Sequence, residues 1–185
     1  MRLQLALSTA GLAAIALICW SLFRAALARW RAPRRVSLRR EALLAVFVVY
    51  AVAVATITVI PTRATTDNAT RVNVVPLRSI MACVTGTGRS PTAPRYCVKD
   101  SVGNVLMFMP LGALVPAIIR RLRSAPAVVL FALLVSASIE GVQFAEQRIG
   151  VGRTVDIDDV LWNVLGAYAG YRVAARVTAA GAARQ

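Results

Sequence analysis

SASIEGVQFAEQRIGVGRTVDIDDVLWNVLGAYAG, residues 136–170, decides how the rest of the chain is read. It gathers five of the eight carboxylates (Glu140, Glu146, Asp156, Asp158 and Asp159), with Gln143, Arg153 and Asn163, where two strongly apolar segments meet. Ser136, Glu140, Gln143 and Gln147 follow at intervals of 4, 3 and 4, which on a helix is one polar stripe. After a glycine-containing turn, Asp156, Asp159, Asn163, Gly166 and Gly170 step by 3, 4, 3 and 4, again one face. Asp156 fits an N-cap, carboxylates in a first turn are favoured by the helix dipole, and Gly166 with Gly170 suits close helix contact. An ionisable group at the edge of a membrane span is costly without a partner, so such groups mark a functional site by default.

The surroundings of this stretch are those of an integral membrane protein. The 185 residues are 58% hydrophobic, and the mean hydropathy is +0.65, outside the range of an ordinary soluble domain. Crossing the hydrocarbon layer takes about 20 helical residues, and the runs 3–23, 42–60 and 101–119 are long enough. Two more follow at 125–145, interrupted only by Glu140, and at 160–177, uncharged until Arg172. The expectation is an all-α, multi-pass helical bundle of about five transmembrane helices. The first run exceeds the apolar core of a secretory signal and lacks a small-residue cleavage site, so it reads as a span.

The net charge of +14 is distributed by topology rather than by affinity for nucleic acid. On one side of the expected spans lie 13 basic residues against one acid, on the other 9 against seven. The positive-inside rule then puts the N-terminus outside and the C-terminus in the cytoplasm. This divides the chain into a first helix with an Arg-rich linker (1–41), a membrane domain (42–177) containing an extracytoplasmic loop (61–100), and a tail (178–185). The loop carries Cys83 and Cys97 on the oxidising side, and a disulfide between them would contribute about 3 kcal/mol by closing a loop of roughly 15 residues. Within it Val74, Val75 and Leu77 form an apolar patch able to return to the membrane surface.

Asn104, Phe108 and Gly112 share a face of the third span, and Pro110 and Pro116 free carbonyls inside it, which is tolerated where the backbone is buried in protein or lines a wet cavity. Glu140 lies about 20 Å along a helix starting near Pro126, in the outer half of the membrane. The stripes thus bring Asn104, Glu140 with Gln143, and Asp159 with Asn163 to similar depth, with Arg153 as the nearest cation. The chain has no histidine, which removes His-based triads and His metal sites. Asp156, Asp158 and Asp159 are oxygen ligands of the kind Mg or Ca takes, but helix capping accounts for at least two of them. No metal and no cofactor is assigned.

Asn73, Val74, Val75 and Pro76; Asn104, Phe108, Pro110, Leu111 and Gly112; Ser138, Ile139, Glu140 and Gln143; and Arg153, Asp156, Asp158, Asp159, Asn163, Leu165, Gly166 and Gly170 occur in the order in which the VanZ family carries its motifs. The chain resembles that family over roughly residues 43–171, departing at Leu77, where an aromatic is common, and Val164, where Thr is common. The resemblance implies a multi-pass protein of the bacterial plasma membrane linked with reduced susceptibility to teicoplanin, a lipidated glycopeptide acting at the outer face. Two functions follow as expectations. One is a non-enzymatic protein whose outer polar pocket engages membrane lipid, a lipid-linked cell-wall precursor or a lipoglycopeptide. The alternative is an intramembrane enzyme using Glu140 and the Asp156, Asp158 and Asp159 cluster. Oligomeric state is not legible.

Overall fold

A computed structural model describes residues 37–59, 72–85, 93–148 and 154–183, with scattered helical positions between 11 and 21. For Val59, Cys83 and residues 93–97 it describes the backbone alone. Most of the first apolar run, the linker before Ser37, Arg153 and the Cys83–Cys97 pairing lie outside the described residues. The chain divides into two compact units, Met1–Ile60 and Pro61–Gln185.

In the first unit, α1 (Leu38–Val59) is a 22-residue helix. Its two buried threonines are satisfied within the helix: the Thr56 and Thr58 hydroxyls donate back to the Val52 and Val54 carbonyls at 2.7 and 2.8 Å, which removes the cost of carrying a hydroxyl into an apolar setting.

In the second unit a short strand β1 (Val72–Asn73) and a seven-residue helix α2 (Arg78–Val84) precede α3 (Ala93–Ile118). A 3-10 turn (Arg120–Leu122) leads into α4 (Ala125–Arg148). Strand β2 (Val155–Asp156) pairs in parallel with β1, Val72 opposite Val155 and Asn73 opposite Asp156, and runs straight into α5 (Ile157–Ala182). Helix α3 therefore begins earlier than its apolar run, at Ala93, with Pro94 in its first turn, where a missing N–H costs nothing. It continues as one helix through Pro110 and Pro116.

Among the described residues three helices are long and apolar enough to cross a membrane, Leu38–Thr58, Val98–Ile118 and Ala125–Arg148. The last helix, α5, is not among them: Asp158 and Asp159 stand in its first turn and Arg172 and Arg176 in its second half. Apolar residues of α3 and α4 point outward, Leu106, Leu130 and Leu134 among them, as expected of helices solvated by lipid.

The core of this unit is where α3, α4 and α5 meet. Phe108, Leu111 and Val115 of α3, Val128 and Ala132 of α4, and Val160 and Ala167 of α5 are buried. Gly112, Gly166 and Gly170 let the α3 and α5 backbones touch. A Cβ at Gly112 would lie 1.8 Å from the Ala167 carbonyl oxygen, one at Gly166 2.2 Å from that of Val105, and one at Gly170 1.9 Å from that of Met109. Because Val105 meets Gly166 and Met109 meets Gly170, the two helices run in the same direction. Gly141, by contrast, has open space where its Cβ would be; it faces outward and admits no close neighbour.

Candidate functional site

The inner face of α4 changes character along its length. Val128 and Ala132 are followed on the same stripe by Ser136, Glu140 and Gln143, all buried. Ser136 receives a hydrogen bond from Asn163 Nδ2 at 2.9 Å. Glu140 Oε2 accepts the backbone N–H of Asp156 at 3.0 Å. The polar end of α4 therefore lies against the start of α5, and α4 runs opposite to α5.

Asp156 caps α5: its Oδ1 accepts the Asp158 N–H at 2.9 Å, satisfying one of the unpaired donors of a first turn. The same oxygen accepts from Asn73 Nδ2 at 2.8 Å, and Oδ2 accepts the Ser79 hydroxyl at 2.6 Å. Asp158, only 2% exposed, faces the 72–85 segment. Its two oxygens accept the backbone N–H groups of Leu77 and, at 3.0 Å, Ser79. The Asp158 carboxylate thus supplies the cap that Leu77 cannot, since Leu77 precedes α2 with no capping side chain. Leu77 stands at φ 62°, a left-handed conformation costly for a branched-chain residue. The two charge-assisted bonds to Asp158 hold it there. The Asn73 side chain closes its own turn, its Oδ1 accepting the Val75 N–H at 3.2 Å.

Asp159 points toward α3, where its Oδ1 accepts from Asn104 Nδ2 at 2.6 Å. The start of α5 thus carries three carboxylates with distinct duties: Asp156 caps the helix and, with Asp158, holds the 72–85 segment, while Asp159 ties α3. Asn163 pairs with Ser136, about 6 Å further along α5 than Asp159, and its Oδ1 is buried with no partner among the described residues. Gln143 is buried beside Glu140. Asn73, Ser79 and Trp162 belong to the same end of the molecule and carry no periodicity that would single them out.

These groups border a cleft of about 250 Å³ lined by Ser79, Ile80, Asp100, Ser101, Asp156, Asp158, Asp159 and Trp162. Asp100 is exposed and Trp162 half-buried. The opposite end of the unit is basic. There Tyr171 donates to the Arg123 carbonyl at 3.0 Å, next to Arg120, Arg121, Arg172 and Arg176.

The family model described as VanZ/LLP1 matches residues 47–178, a span that takes in every helix just placed around the cleft. The chain belongs to the VanZ family. No curated protein and no solved structure matches it. As a VanZ-family membrane protein it departs from a simple bundle in the carboxylate turn that opens α5. Asp156 and Asp158 have both oxygens engaged by donors of the chain, and among the described residues no group of three or more acidic or thiol side chains is arranged to hold a metal. The arrangement suits accepting hydrogen bonds and balancing a cation in a cleft with one aromatic wall.

Proposed function

We propose that this VanZ-family protein is a non-enzymatic binder at the outer face of the bacterial plasma membrane. Its cleft takes the polar head of a lipid, of a lipid-linked cell-wall precursor, or of a lipoglycopeptide such as teicoplanin. The observation that carries this reading is the cleft itself, lined by four aspartates, two serines and Trp162. Carboxylates and hydroxyls accept hydrogen bonds from sugar hydroxyls and amines, and an indole offers an apolar face and a site for a cationic group. The orientation rests on the basic end near Arg123 and Arg172, which the positive-inside rule puts in the cytoplasm, leaving the carboxylate end outside. In this reading the first apolar run and α5 also cross, making five spans with the N-terminus outside. The close backbone contact of α5 with α3 supports its membrane placement, because small residues at such crossings are the rule between spans.

Native mass spectrometry of the protein purified in mild detergent tests the reading. Wild type is expected to retain a lipid-linked adduct that is depleted in Trp162→Ala and in Asp159→Asn, a change that keeps an acceptor for Asn104. The same adducts in the same amounts on all three proteins would refute it.

A further inference from the structure

Segment 72–85 holds the site with one side and leaves the other uncovered. Ser79 and Asn73 bond Asp156, and the Leu77 and Ser79 N–H groups bond Asp158. On the far side Val74 (72% exposed), Met81 (61%) and Val84 (79%) are bare, as are Val75 and Leu77. Met81 and Val84, three apart on α2, share a face, and Leu77 stands exposed at the start of that helix. So concentrated an apolar patch marks an interaction surface.

Its level in the molecule identifies what covers it. Ser79 and Ile80 share the cleft with Asp100 and Ser101, which lie in the first turn of the membrane-crossing stretch Val98–Ile118. Helix α2 therefore stands beside the end of a span, level with the headgroup region. From Val72 to Thr85 the segment has no acidic residue and one cation, the exposed Arg78, a charge that suits the anionic lipids of a membrane surface. In the first turns of the membrane-crossing stretch, Val98 and Val102 are exposed as well.

We propose that segment 72–85 is an interfacial anchor, its Met81 and Val84 face, with Val74, Val75 and Leu77, seated at the headgroup–acyl boundary of the membrane that the long helices cross. Amphipathic segments of this kind sink about 5–10 Å into that boundary. Asp156 and Asp158 then fix the anchor to the start of α5, so that bilayer contact and carboxylate turn form one unit. The anchor stands independently of what the cleft binds. Where the cleft does bind a lipid-linked head, the anchor sets its mouth at headgroup level and the ligand enters along the membrane plane.

The test places the photoreactive residue p-benzoylphenylalanine singly at Val74, Met81 or Val84 in the full-length protein. Leu106, outward-facing within α3, is the lipid reference and Ala182, at the end of α5, the tail reference. Each protein is reconstituted into vesicles of phosphatidylethanolamine and phosphatidylglycerol, irradiated, and weighed intact. The anchor predicts phospholipid-mass adducts at Met81 and Val84 in yield comparable to Leu106 and well above Ala182. Covalent dimers as the main product would assign the face to a second copy. Links within the chain would assign it to another segment, and yields no higher than at Ala182 would leave it in water. Each of these three results overturns the proposal. Val74 serves as the independent position should either α2 variant fail to fold.

Discussion

Helix α5 is held in two different ways along its length. In its middle, Gly166 and Gly170 meet the Val105 and Met109 carbonyls of α3 with no room for a Cβ, and the contact is dry and set by shape. At its start, Asp156, Asp158 and Asp159 make hydrogen bonds to Asn73, Leu77, Ser79 and Asn104, and the contact is polar, set by directed acceptors. The first kind fixes where the helix lies. Only the second leaves groups that can also serve a ligand, which is why the cleft opens there.

If the dry contact is the more rigid of the two, enlarging it has the largest effect. Gly170→Val, or Gly112→Val, drives side-chain carbons into the facing α3 or α5 backbone and is expected to cost about 3 kcal/mol or more. In detergent it should yield no monodisperse folded protein, and a normal melting curve for either variant would show that the glycine contact is not what fixes α5. Next comes Asp158→Ala, which leaves the Leu77 and Ser79 N–H groups without their charged acceptor at a cost of about 2–3 kcal/mol. The loss should appear as a lowered melting temperature together with rapid proteolysis near residues 72–85, while α3 and α5 stay packed. Asp158→Asn, keeping one acceptor oxygen, should fall between that and wild type.

The contrast is sharpened by Ser136 and Asn163, which lie between the two regions. Ser136→Ala removes the acceptor of a buried amide and is expected to cost about 1–2 kcal/mol. Combining it with Asn163→Leu removes both partners and should recover part of the loss, as measured by melting in the same detergent. The smallest effect belongs to Gly141→Ala. With open space for the Cβ, it gains helix propensity of up to about 1 kcal/mol and should melt at or slightly above the wild-type temperature.

Local patterns made some of this arrangement legible in the sequence. The Asp156 cap, the buried stripe of Ser136, Glu140 and Gln143, and the close-contact glycines all follow from spacing within one helix, which a periodicity of 3.6 exposes. The family resemblance also pointed to Asn73 and the Val-Val-Pro that follows it, without saying what Asn73 does. What spacing could not show are bonds across roughly 80 residues. Leu77 to Asp158 and Ser79 to Asp156 join a segment read as loop to the first turn of a distant helix, and no periodic signal links them. For Asn163 the position on a face was readable, but not its partner, because which turn of α4 it meets depends on how the helices are staggered. Gly141 shows the same limit, since only its side of α4, with open space where a Cβ would be, separates it from the close-contact glycines.

In the proposed function the carboxylate-lined cleft, not the helix contact beneath it, carries the protein's role. The most direct test is teicoplanin susceptibility of a host lacking the protein, measured for wild type, Trp162→Ala and Asp159→Asn, with melting temperatures of the three purified proteins alongside. Reduced susceptibility is expected with wild type, and loss of that protection in both variants at unchanged melting temperature. Full protection by a stably folded Trp162→Ala and Asp159→Asn, or none by wild type itself, would contradict it.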